Sequence, residues 1–350
     1  MIIRNFRFLT FLSLLMVLGC RVFQPPPHQS NVVDGRYDSE FPSRPTSPAL
    51  KQVLESVHFL NSVAYYRGYE IPLEKRFTQR GAPLATIKRV AVYEMFFNRT
   101  ASGTATVIYA QDKHLALLTC NHVINFPDTI YTYYVDENGV TTPYLQNIAI
   151  KQRQENYIPD LLFANQLEIL AADPHLDIAV LGQELPREPL RPIQVFNFPI
   201  GKARELDWGT VLYLIGFPKG FKMVTTGIVS NPNRDRNFGF LVDAPFNKGF
   251  SGGIALALRD GPPHFELVGI INAVSADRIT YLAPESGVLQ KEYRPGSPYE
   301  GTPIVKEETR INYGVTFGIA IENVQKLLES HREVLEQRGY NFDFFYMNPQ

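Results

Sequence analysis

From about residue 85 to 274 the chain alternates short apolar runs with breaks at Gly, Pro, Asn and Asp. The runs include "TATVIYA" at 104, "HLALLT" at 114, "DIAVL" at 177, "VLYLIGF" at 211, "GFLVDA" at 239 and "ELVGIINAV" at 266. They are rich in β-branched and aromatic residues and too short for typical helices, so they predict an all-β domain. Leu185 to Pro199 holds four prolines and divides the region into two similar halves, which favours two small barrels joined by a linker. Apolar residues recur at helical spacing on both flanks. Ser47 followed by Pro48 predicts a helix start, with Leu50, Val53, Leu54, Val57 and Leu60 on one face. Val324, Leu327, Leu328, Val334 and Leu335 predict a terminal helix that stops near Gly339.

The first residues follow a different pattern. Arg4 and Arg7 precede an apolar run, Phe8 to Leu18, that is too short to span a bilayer, so it predicts a secretory signal. "Val17-Leu18-Gly19-Cys20" resembles the lipobox of bacterial lipoproteins, which implies that Cys20 becomes the lipidated first residue and anchors the chain to a membrane outside the cytoplasm. Arg21 stands where enteric bacteria use Asp for inner-membrane retention, which favours an outer-membrane anchor in a Gram-negative source. Pro25, Pro26, Pro27, Pro42 and Pro45 rule out a continuous helix or central strand, so the segment reads as a tether. The expected organisation is a signal peptide over 1–19, a tether over 20–46, a helical extension over 47–84, barrels over 85–190 and 191–320, and a helix and tail over 321–350.

Composition narrows the function. Of 350 residues, 45% are hydrophobic and 20% charged, as in ordinary globular proteins. Lys and Arg number 34 against 35 Asp and Glu, so no global basic field exists for nucleic acid, which is not an expected partner. Cys20 and Cys120 are the only cysteines, so no disulfide framework is present. No pair of His or Cys stands at ligand spacing, and neither a metal nor a cofactor is expected. "Asn98-Arg99-Thr100" matches a glycosylation acceptor, but such matches are common by chance.

Three stretches carry the parts of acyl-transfer chemistry, which needs a nucleophile, a base, a group that orients the base, and donors for the oxyanion. "LLTCNHVI" places His122 at the end of an apolar strand, "HLDIAVL" places Asp177 at the start of another, and "GFSGG" places Ser251 in a glycine-rich turn. The order His, Asp, Ser argues against the nucleophile elbow of α/β-hydrolases, where Ser comes first. His175, two residues before Asp177, is a competing base. Cys120 reads as a small buried hydrophobe.

Together these stretches resemble the trypsin-like serine peptidases, most closely the bacterial HtrA/DegP-type branch, whose patterns read T-A-A-H-V, D-[IL]-A-[VL]-[LI] and G-N-S-G-G-P. "SGTATVIYA", "IGFPKG", "VTTGIVSN", "VGIINAV" and "GVTFGIAI" extend the likeness over about residues 85 to 335. The resemblance implies two six-stranded antiparallel β-barrels, with Ser251 as nucleophile, His122 as general base and acid, and Asp177 holding the imidazole tautomer. It implies an oxyanion hole from the amides of Gly249 and Ser251. It also implies a specificity pocket with Pro245 at its base and Asn272, Ala273 and Val274 along its wall. With no Asp at the base, small or medium apolar P1 side chains are expected.

The sequence departs from the family at Phe250, where chymotrypsin-type enzymes carry an Asp that pairs with a new N-terminus. It departs again at Lys248 and Ile254, where relatives carry proline. About fifteen residues follow Leu335, too few for the PDZ module of many relatives. Ser275 to Asn312 reads as a loop-forming insertion beside the pocket. The expected function is a lipid-anchored endopeptidase acting on polypeptides. The alternatives are an inactive member of the fold that serves as a binding or chaperone-like surface lipoprotein, and an esterase with the same triad. If Cys20 carries the anchor, Cys20→Ala moves the protein from the membrane to the soluble fraction of a cell lysate; an unchanged membrane fraction contradicts the lipoprotein assignment.

Overall fold

The structure, a computed structural model, describes residues 33–346 apart from 43, 82, 138, 162, 245–246, 285–295 and 297–302. The expected signal peptide, Cys20 and Pro245 lie outside the described residues. The first half runs α1 (Ser47–Leu54), β1 (Val57–Glu70), α2 (Leu84–Val90), β2 (Tyr93–Gln111), β3 (His114–Thr119), α3 (Asn121–Ile124), β4 (Thr129–Val135), β5 (Thr141–Tyr157), β6 (Glu168–Asp173) and β7 (Ile178–Glu184). The second runs β8 (Val211–Gly216), β9 (Met223–Asn231), β10 (Phe240–Asp243), β11 (Ile254–Leu258), β12 (Phe265–Pro284) and β13 (Pro303–Ala320). Three helices follow: α4 (Ile321–Ser330), α5 (Arg332–Gln337) and α6 (Asp343–Tyr346).

The second half closes into a six-stranded barrel in the order β10-β13-β12-β11-β8-β9. The first is a seven-stranded sheet in the order β4-β5-β1-β2-β3-β7-β6, one strand more than expected. The extra strand is β1. The helix predicted through Leu60 ends at Leu54, and Val57 onward pairs with β2 on one side and β5 on the other. Along β1 Leu60, Ser62, Ala64 and Tyr66 are buried on one face, a period-2 pattern whose small and polar members hide it from a hydrophobicity count. The segment 47–84 is therefore not a helical extension; it supplies a central strand.

The tether expected over 20–46 also needs correction at its end. Residues 34–38 dock on the second barrel: Asp38 N–H donates to the Leu258 carbonyl (2.9 Å) and Val211 N–H to the Asp38 carbonyl (3.0 Å). Tyr37 is buried, its hydroxyl donates to Glu266 Oε2 (2.7 Å), and the Arg259 guanidinium lies 4.0 Å from its ring centroid. Burial, with the Glu266 charge, pushes the Tyr37 phenol far above its ordinary range, so it remains a neutral donor.

Within the expected insertion loop from Ser275 to Asn312, the described flanks form a two-stranded ribbon, with β12 and β13 paired from Ala276↔Ile311 to Pro284↔Pro303. Its terminal prolines sit at strand ends, where a missing N–H costs no ladder bond. A continuous apolar core joins Leu117, Val180 and Leu118 of the first sheet to Ile215, Ile254 and Ile270 of the barrel and to Val324 and Leu328 of α4. The proline-rich linker crosses this seam, where Phe196 is buried and its N–H donates to the Val107 carbonyl (2.8 Å).

Candidate active site

His122 lies on α3, one turn long, directly after β3. Both of its N–H groups meet one carboxylate: the backbone amide donates to Asp177 Oδ1 (2.7 Å), and Nδ1 pairs with Asp177 Oδ2 (2.6 Å). Asp177 precedes β7 and has φ +58°, a left-handed conformation that Asp tolerates better than most residues and that marks local strain. Its carbonyl accepts from Asn121 N–H (3.2 Å), so backbone and side chain together hold the start of α3. The Asp177 side chain is 16% exposed and that of His122 47%, which shields the carboxylate and leaves the far edge of the imidazole open. His175, the competing base, is exposed in the turn before Asp177, and its amide donates to Asp173 Oδ1 (2.8 Å).

Ser251 is only 7% exposed and belongs to the other half of the molecule, in the turn before β11. Its carbonyl accepts from Thr104 N–H on β2 (2.7 Å). The neighbouring Gly252 N–H donates to the Ile271 carbonyl (2.8 Å), the same oxygen that accepts from Cys120 Sγ (3.2 Å). One carbonyl thus anchors both the Ser251 turn and the strand end that leads to His122. The Ser251 hydroxyl donates to the Asn272 carbonyl (2.9 Å); among the described residues no hydrogen bond joins it to His122.

Two glycines in the turn are required. Gly249 has φ +97° and a Cβ there would strike the Phe217 carbonyl oxygen; Gly252 has φ +83° and a Cβ there would strike the Thr104 carbonyl oxygen. Phe250 is 2% exposed and belongs to the core of the second barrel. Lys248 C=O accepts from Lys219 N–H (2.8 Å), and Gly249 C=O accepts from Thr104 Oγ1 (2.8 Å). Among the described residues the amides of Gly249 and Ser251 have no acceptor.

Asn272, Ala273 and Val274 lie on β12, and the Asn272 carbonyl accepts from the Ser251 hydroxyl. Thr104 and the turn Phe217–Lys219 escaped the sequence reading, because a lone Thr in a β-rich run carries no signal of its own.

Cys120, His122 and Asp177 place potential ligand atoms within 4.8 Å of one another, a set that residue spacing did not reveal. It is a poor metal site as arranged. Burial, with the charge of Asp177 added, pushes the Cys120 thiol well above its usual range, and Nδ1 of His122 is already committed to Asp177.

Residues 103–270, just under half of the chain, match the family model of the trypsin-like peptidase domain. That stretch contains His122, Asp177 and Ser251. Among solved structures, the chain is similar to the serine endoprotease from Yersinia pestis, at 19% identity over 83% of this chain and 67% of that one, with a TM-score of 0.36. It is similar also to Deg5, at 18% identity over 65% of this chain and 83% of that one, with a TM-score of 0.35. No curated protein matches the sequence.

A neutral, buried thiol does not react. In the Cys20→Ala protein at pH 8, Cys120 resists a disulfide reagent in the folded state and reacts fully in denaturant; rapid reaction of the folded protein contradicts the burial of Cys120.

Proposed function

We propose that the chain is a serine endopeptidase, held outside the cytoplasm by a lipid on Cys20, that hydrolyses polypeptides through Ser251, His122 and Asp177. The observation that carries this reading is the pair of N–H groups of His122 on the Asp177 carboxylate, at 2.7 and 2.6 Å, beside a serine in a glycine-rich turn. With Nδ1–H donated to Asp177 Oδ2, the imidazole keeps a lone pair on Nε2. That nitrogen is the base for the Ser251 proton and then the acid for the leaving amine. Asp177 stabilises the imidazolium that forms in between.

Ser251 Oγ attacks the scissile carbonyl after its side chain leaves the Asn272 carbonyl and gives its proton to His122 Nε2. The negative charge that develops on the carbonyl oxygen is met by the amides of Gly249 and Ser251; one such donor is worth about 3 kcal/mol of transition-state stabilisation. Asn272 to Val274 form the wall of the P1 pocket and Pro245 its base, with small or medium apolar side chains preferred. The lipid anchor rests on the Val17–Cys20 motif, and Arg21 favours an outer-membrane location in a Gram-negative source.

A second reading follows from one contact. The Ser251 hydroxyl is engaged with Asn272 rather than His122, as suits a catalytically silent member of the fold that binds polypeptides.

Hydrolysis of a peptide library by the Cys20→Ala protein separates the two. Cleavage after small or medium apolar residues, absent in Ser251→Ala and reduced roughly 10⁴-fold in kcat in Asp177→Asn, is the expected result. Cleavage that survives Ser251→Ala, or hydrolysis of esters alone, overturns the endopeptidase reading; intact peptides bound without cleavage favour the silent one.

A further inference from the structure

An oxyanion donor is useful only if its peptide plane faces the right way. In a trans peptide the C=O and N–H point in opposite directions, so whatever holds the Lys248 carbonyl also aims the Gly249 amide. The Lys248 carbonyl accepts from Lys219 N–H (2.8 Å), which turns Gly249 N–H to the opposite side. The next plane is held at its other end. The Gly249 carbonyl accepts from Thr104 Oγ1 (2.8 Å), and Phe250 N–H closes the turn on the Asn247 carbonyl (3.1 Å).

Thr104 serves three parts of the site. Its N–H donates to the Ser251 carbonyl (2.7 Å), its hydroxyl proton goes to the Gly249 carbonyl, and its hydroxyl oxygen accepts from Phe217 N–H (2.9 Å). A hydroxyl has one proton to give. Because Phe217 N–H can only donate, that proton has to face Gly249, and the group has a single satisfied orientation. Thr104 is fully buried, so water does not substitute for either contact. The space is closed on the far side, where a Cβ on Gly216 would come within 2.9 Å of Thr104 Oγ1 and 3.2 Å of the Phe250 ring. Position 250 carries an apolar side chain in the barrel core, so no buried carboxylate is available there to hold the turn through an ion pair.

We propose that the Thr104 hydroxyl is a positioning residue for peptide hydrolysis: by binding the Gly249 carbonyl and the Phe217 amide together, it keeps the oxyanion turn in its competent orientation before substrate arrives. The inference rests on the serine-peptidase reading and adds to it that the turn is held from the opposite sheet by a neutral side chain.

The test compares Thr104→Val, Thr104→Ala and Thr104→Ser in the Cys20→Ala protein. Thr104→Val keeps the shape and removes the hydroxyl, which leaves one buried donor and one buried acceptor unpaired. The measurements are kcat and KM for a peptide substrate, affinity for a peptide boronate that places an oxygen in the oxyanion hole, and melting temperature.

The expected result is a kcat lowered on the order of 100-fold in Thr104→Val and Thr104→Ala, with KM within about twofold of wild type. Boronate affinity falls in parallel, and Thr104→Ser recovers kcat to within a few-fold. A folded Thr104→Val or Thr104→Ala with kcat near wild type overturns the inference and leaves the peptidase reading standing. A loss that follows melting temperature in all three variants, with Ser no better than Val, overturns it in favour of a purely structural role. Wild-type protein that neither cleaves peptide nor binds boronate overturns the peptidase reading and this inference together.

Discussion

The hydrogen bond from Thr104 N–H to the Ser251 carbonyl joins the two halves of the molecule at the point where they have to meet, 2.7 Å apart. Thr104 belongs to the first sheet, which also supplies His122 and Asp177; Ser251 belongs to the turn that enters the second barrel. Neither half contains the full set of groups. The apolar seam around Val180, Ile215 and Ile254 provides the general attraction between the halves, but it has no direction of its own. Directional bonds at Thr104, and the shared Ile271 carbonyl beneath Cys120 and Gly252, convert that attraction into a defined geometry.

The same constraint explains the chemistry of the residues around the site. Asp177 accepts an imidazole N–H and a backbone amide of the same histidine, so ring orientation and backbone position are set by one carboxylate. The strain of its left-handed backbone is held by β3, α3 and β7 around it. Cys120 lies close enough to add a third ligand-type atom, yet its burial keeps the thiol protonated and packed as an apolar group.

Much of the candidate site was legible in the sequence, because its residues sit in short local contexts: His122 after an apolar strand, Asp177 before one, Ser251 among glycines. The β-rich body was legible for the same reason. What was hidden depends on partners far along the chain. β1 carries Ser62 and Ala64 on its buried face, so its alternation is faint in the sequence, and the helical spacing of Leu50 to Leu60 runs on past the true helix end at Leu54. Residues 34–38 look like a polar linker until Asp38 and Tyr37 meet β8, β11 and β12. The ribbon of β12 and β13 reads as a loop in the sequence, because prolines such as Pro284 and Pro303 mark strand ends as readily as breaks. Thr104 could not be singled out at all, since its role is defined by Gly249 and Phe217, more than a hundred residues away.

The central claim is that Ser251 is a nucleophile activated by His122. Intact-mass analysis after treatment with a fluorophosphonate, with peptide mapping of the adduct, tests it most directly. The account predicts one adduct, on Ser251, formed by the folded wild-type protein and lost in His122→Ala. A well-folded wild type that takes up no phosphonate, or an adduct on another residue, contradicts it.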